Sequence, residues 1–172
     1  MSTTKTYIGT KVVHALPMTR QAYNDYRGWQ LPDNEDGADD GYLVEYVDGG
    51  KANDPRHAGY ISWSPKDVFE RAYRSVEGMT FGLAIEALKA GKKVARAGWN
   101  GKGMWIAYTP GSEFAPELAK SGHAAAHRAE EAPREDVRLL PHIDMRAADG
   151  SMVVGWLASQ TDMLTEDWET LP

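Results

Sequence analysis

The sequence predicts an α+β protein with antiparallel β-sheets, arranged as two modules, and three observations carry that expectation. Short runs rich in β-branched and aromatic residues recur at residues 42–47, 59–63 and 152–157, without the regular strand–helix alternation of a parallel sheet. Ala148, Asp149 and Gly150 form a turn triplet between two such runs, the mark of a hairpin. A well-delimited helix starts at Thr80, carries Leu83, Ala84, Ala87 and Leu88 at helical spacing, and stops at Gly91.

The elements follow in order. Residues 7–15 are β-branched and read as a strand. Thr19 caps a short helix from Arg20 to about Arg27, which Gly28 ends. Residues 32–41 are polar and acidic and read as a loop. Residues 42–47 and 59–63 form a hairpin with a long connection. Ser64 as cap with Pro65 at the first helical position predicts a helix to about Tyr73.

A seam near residues 75–78 separates a small α+β module, residues 1–75, from a second module, residues 79–172, with one main helix. There, residues 94–96 and 104–108 read as strands. Residues 110–136 are rich in Ala, Glu and Arg, interrupted by Pro116 and Pro133, with room for one helix. Residues 139–145 and 152–157 flank the hairpin turn. A helical turn around Asp162 and a short strand near Trp168 close the chain.

The 172 residues carry a net charge of −6, and the longest basic cluster is Lys92-Lys93, so extended nucleic acid is a poor partner. A compact ligand with a few phosphate charges remains compatible, because a few placed donors hold it. With no cysteine, thiolate chemistry, disulfides and cysteine zinc sites are excluded. No run approaches the roughly 18 apolar residues of a membrane span, and the opening residues lead into no signal-like segment. The expected location is therefore the cytoplasm. Six Trp and eight Tyr against three Phe give the aromatic surface polar handles, which suits half-wet binding surfaces as well as a small core.

Two segments stand out. Between Arg96 and Trp105, three glycines in six residues shape a loop that carries Trp99, Asn100 and Lys102. Free amides in such a loop form an anion nest, Lys102 adds charge, and Trp99 offers a stacking face. The alternative is a glycine turn with Trp99 packed inward. Trp156 is followed by Ser159, Gln160, Thr161 and Asp162, groups that suit ribose hydroxyls and a base edge. Equally, Ser159 and Asp162 have the spacing of a helix cap.

His142 and Asp144 share a strand face, and this pair is the only visible starting point for a hydrolase. Two ligands do not make a metal site, and His123 with His127 lacks the glutamate of a zinc-protease motif. No metal and no cofactor are expected.

Taken together, Met79-Thr80-Phe81, the run from Ala87 to Val94, the run from Gly98 to Met104, the run from Leu140 to Met145, Gly155-Trp156 with Ser159 to Asp162, and Asp167-Trp168 resemble, in that order, the second Thoeris anti-defence family. The resemblance spans residues 79–171. It implies a phage protein that binds and sequesters a cyclic ADP-ribose-type immune signal, in some members cyclic oligonucleotides, without cleaving it, in the cytoplasm of the bacterial host. It also implies a homo-oligomer, commonly a tetramer. Trp99 and Trp156 are then the stacking residues, and Asn100, Asp144, Ser159, Gln160 and Asp162 the polar contacts. Lys102 is assigned to phosphate from its charge and position. Residues 1–75 lie outside the resemblance and look like small uncharacterised phage modules. The competing expectations are an enzyme that hydrolyses the signal through His142 and Asp144, or an adaptor using its Trp-rich surfaces for protein contacts.

Overall fold

The computed structural model describes residues 4–7 and 9–172. These fall into two compact units, Met1–Arg74 and Ser75–Pro172. The fold class is borne out: helices and antiparallel sheets are mixed in both units.

The first unit is a three-stranded sheet in the order β1-β2-β3, formed by Val13–Pro17, Gly41–Tyr46 and Tyr60–Pro65. The predicted first strand is displaced. It pairs from Val13 to Pro17 against β2, beyond the expected end at residue 15, and Ile8 lies outside the described residues. Proline is tolerated at its end because β1 is an edge strand. Helix α1, Arg20–Arg27, has the expected limits: the Thr19 hydroxyl accepts from Ala22 N, and Gly28 turns left-handed at φ 68°.

Helix α2 starts one residue later than predicted, at Lys66, and runs to Ala72. Ser64 is not its cap, because Ser64 and Pro65 continue β3 opposite Tyr42 and Gly41. The backbone bond from Lys66 N to Asp40 O, 3.0 Å, ties down the helix start instead. Tyr23, Leu43 and Ile61 form the buried centre, with Met18, Tyr26 and Trp63 packed against it. The Trp63 indole N–H donates to Met18 O at 2.9 Å, so this half-buried ring leaves no orphan donor.

In the second unit a five-stranded antiparallel sheet runs in the order β10-β4-β5-β8-β9. Its strands are Trp168–Leu171, Lys93–Arg96, Trp105–Thr109, His142–Arg146 and Met152–Val153. Helix α3, Phe81–Lys89, capped by Thr80, lays Ala84 and Leu88 on one sheet face. Register places Val94, Ile106, Met145 and Thr170 on that face, and Val94, Ile106 and Met145 pack with Met79, Ala84, Leu88 and the fully buried Trp168 as the core.

Two expectations for this unit are corrected. The predicted strand over residues 139–145 is two strands, because Pro141 interrupts the ladder. Val137–Leu139 becomes β7 and pairs with β6, Ser112–Phe114, in a separate two-stranded sheet. The run 152–157 pairs only at Met152 and Val153, and the chain then turns away with Gly155 at φ 75°. The long insert also holds a 3-10 turn, Pro116–Leu118, and helix α4, Ala124–Glu131. His123 is the residue before α4 and His127 lies 3.8 Å from Glu130; among the described residues no group of three or more metal-ligating side chains forms. Among them, too, no helix is long and apolar enough to cross a membrane.

Candidate ligand-binding site

Three indoles meet at one end of the second unit's core. Trp168 opens β10 and is fully buried, with its N–H given to Asp162 O at 2.9 Å. Trp99, on the loop between β4 and β5, stands edge-on to it at 5.4 Å and 78°. Trp156, on the turn after β9, completes the cluster at 6.2 Å from Trp99 and 6.3 Å from Trp168, both at 75°. Edge-to-face contact sets the positive rim of one ring against the negative face of another. It also leaves ring surface uncovered, and Trp99 and Trp156 are only partly buried.

A carboxylate hub fixes this arrangement. Asp162 lies in α5, Gln160–Leu164, and closes a capping box with Ser159. Its Oδ2 accepts from Ser159 N at 2.9 Å and Ser159 Oγ at 2.6 Å. Its Oδ1 accepts from Arg96 Nη1 at 2.7 Å and Trp99 Nε1 at 3.2 Å. Arg96 also donates Nε to Asp167 Oδ1 at 2.9 Å.

Burial pushes the Asp162 carboxyl up, but the bonds from Ser159, Arg96 and Trp99 outweigh it and hold it at about 2. Asp167 is lowered to about 2, chiefly by Arg96 against the opposing cost of burial, with help from Thr165 and the Gly98 amide. Gly98 is required here by close approach: a Cβ would stand 2.5 Å from Asp167 Oδ2, the atom its N–H bonds at 2.9 Å.

Asp144 organises the neighbouring turn. Its Oδ1 accepts from Gly155 N at 3.1 Å and its Oδ2 from the Thr109 hydroxyl at 2.5 Å, while Trp156 N bonds Ile143 O at 2.7 Å. His142 bonds Leu140 O through Nδ1 at 2.8 Å and faces Asp144 with Nε2 at 3.4 Å.

Of the residues singled out from the sequence, Trp99, Trp156, Ser159 and Asp162 come together, and Asp144 anchors the turn that carries Trp156. Asn100 and Lys102 are exposed on the Trp99 loop, and Gln160 is exposed at the first position of α5. The loop turns at Gly103, φ 72°, whose carbonyl accepts from Arg146 at 2.5 Å.

Sequence reasoning missed Arg96 and undervalued Asp167 and Trp168. The signal was available: strand alternation puts Arg96 on the Val94 face, and a cation on a core face requires carboxylate partners. A cleft of about 520 Å³ exists in the first unit, but Asp39, Asp40, Asp67 and Glu70 line it against Lys66 alone, which opposes a phosphate-bearing ligand.

Fold and site together define a small α+β module that presents a braced, half-open indole pair at the end of an antiparallel sheet. Residues 79–171 match the Thoeris anti-defense 2-like domain, and the chain belongs to that family. The protein Thoeris anti-defense 2 of Bacillus phage SP01 is 34% identical over 91 residues, covering 53% of this chain and 92% of the phage protein. The family sets the coarse role, phage anti-defence.

Proposed function

We propose that the second unit captures a cyclic ADP-ribose-type nucleotide signal and sequesters it without cleaving it. The observation that carries this reading is the Trp99–Trp156 pair, 6.2 Å apart at 75° and partly open, with Trp99 bonded to the Asp162 hub and Trp156 on the turn that Asp144 anchors. A base stacked on such a ring gains about 1–3 kcal/mol. Asn100, Lys102 and Gln160 flank the indole-bearing segments with exposed polar groups, suited to ribose and phosphate. A sequestering protein has to bind tightly, on the order of nanomolar or about −12 kcal/mol, so phosphate contacts carry much of the affinity.

Non-cleavage is supported by the surroundings of His142 and Asp144, the pair that the sequence offers as a base and its orienter. A general base needs a free lone pair within reach of its proton. Among the described residues His142 bonds no hydroxyl nucleophile: its Nδ1 bonds Leu140 O, its Nε2 lies 3.4 Å from Asp144, and the Asp144 oxygens accept from Thr109 and Gly155 and so hold the turn that carries Trp156. In this reading the protein needs no cofactor and works in the cytoplasm of the infected bacterium.

It also works as a homo-oligomer, with a tetramer as the expected form. Beyond the β8–β9 hairpin, Val154, Leu157 and Leu164 are 74%, 88% and 81% exposed, and Met152, Val153 and Met163 are exposed beside them in sequence. β9 is the outer strand of its sheet. Exposed apolar surface next to an unpaired strand edge favours a second copy. Leu157→Asp is expected to reduce the oligomer to monomers by size-exclusion chromatography with light scattering; an unchanged mass removes this interface.

Native mass spectrometry with cyclic ADP-ribose, its glycocyclic isomers and cyclic dinucleotides tests ligand class and stoichiometry together. The expected spectrum shows whole-number occupancy of a cyclic ADP-ribose-type compound. Absence of every adduct overturns the proposal.

A further inference from the structure

We propose that Asp162 serves capture as a positioning residue for Trp99 and makes no contact with the ligand itself. This rests on the capture reading above. A carboxylate offers about four lone-pair sites. In Asp162 four donors occupy them: Arg96 Nη1 and Trp99 Nε1 on one oxygen, Ser159 N and Oγ on the other. The residue is 8% exposed. A ribose hydroxyl reaching Asp162 would have to displace a donor that holds the site together.

The four donors come from three places in the chain. Arg96 belongs to β4, Trp99 to the glycine loop and Ser159 to the start of α5. The Asp162 backbone carbonyl adds a fourth by accepting from Trp168 Nε1. One side chain therefore sets the rotation of the Trp99 ring relative to α5 and to the Trp168 floor. Arg96 keeps the carboxylate in place, itself braced by Asp167. The polar reading of the ligand then falls to Asn100, Lys102 and Gln160, which are exposed and whose side chains take no part in this network.

Double-mutant coupling separates positioning from contact. Trp99→Phe keeps a stacking ring but removes the N–H. Asp162→Asn keeps the shape but cannot accept from all four donors. Each single variant is expected to weaken binding of cyclic ADP-ribose or its glycocyclic isomers roughly tenfold, and the double variant no more than about tenfold, because both break the same bond.

The Trp99 indole N–H resonance of the ligand-free protein is expected to shift and exchange faster in Asp162→Asn, a readout that needs neither ligand nor a change in global fold. Losses that multiply to roughly a hundredfold, with the indole resonance unmoved, would overturn the proposal. If the unaltered protein binds none of these compounds while the resonance still moves, the capture reading fails and the bond between Asp162 and Trp99 stands.

Discussion

In the first unit Tyr42, Phe69 and Tyr73 stack nearly parallel at 4.2 and 4.8 Å, ring face against ring face, whereas in the second Trp99, Trp156 and Trp168 meet edge to face at 75–78°. Parallel stacking covers the Phe69 π-surface with its neighbours. Edge-to-face packing buries Trp168 and leaves parts of Trp99 and Trp156 for something else. The charged networks differ in the same sense. Glu45, His57 and Tyr26 form a chain of bonds at 2.9 and 2.8 Å that pins the long β2–β3 connection to α1. Arg96, Asp162 and Asp167 instead brace an indole that stays partly open. Aromatic content alone does not locate a binding surface; the angle between rings and what the polar network holds in place do.

The largest effect is expected from removing the Trp168 floor. Trp168→Ala is expected to cost about 3–5 kcal/mol in the second unit, through lost burial and an empty cavity. Calorimetry should show the second unit's transition falling while the first unit's stays. A joint fall would mean that the units do not melt independently.

Next in size is Trp156→Ala, which removes a stacking face but leaves the Asp162 hub intact. Ligand titration should show a loss of roughly ten- to a hundredfold or more, with the melting temperature of the unit changed far less than by Trp168→Ala. Unchanged affinity would show that Trp156 is only core.

Acid titration separates the two charged networks. Asp162 and Asp167 are held at about 2 in the folded protein, against about 3.9 in an unfolded chain. Between these values the unfolded state binds more protons, so stability rises with pH through this window. The contribution is complete above about pH 4 and is lost as pH falls towards 2. Asp162→Asn should flatten that part of the stability profile in the second unit's transition. In the first unit the Arg56 side chain and backbone lower Asp54, and His57 and the Gly59 amide lower Glu45, so its transition keeps its own acid dependence.

The smallest effect is expected at Lys102. Lys102→Ala should weaken capture several-fold and reduce its salt dependence, since an exposed lysine acts as a screened point charge. An affinity with the same salt slope as the unaltered protein would remove Lys102 from phosphate contact.

Much of this was legible in the residues. Thr19 with Gly28 and Thr80 with Gly91 announced two helices, because caps and left-handed stops are local devices. Asp149 and Gly150 likewise announced the β8–β9 hairpin. The β6–β7 pair was not legible: Ser112–Phe114 and Val137–Leu139 are three residues each and pair across a long insert, so no periodicity marks them. Pro141 split a run that composition made look continuous. At the site, Trp99 and Trp156 were visible as types, but the network that bonds Trp99 has Arg96 reaching Asp162 and Asp167 across 66 and 71 positions, which strand alternation hints at and no short motif spells out.

Mixing the purified protein with a glycocyclic ADP-ribose, separating the complex from free ligand, and heating it to release what was bound tests capture without cleavage most directly. The intact cyclic compound is expected to return in a fixed ratio to protein, and Trp156→Ala to return less of it at the same protein concentration. A linear product in the released fraction, or no retained nucleotide from the unaltered protein, would contradict it.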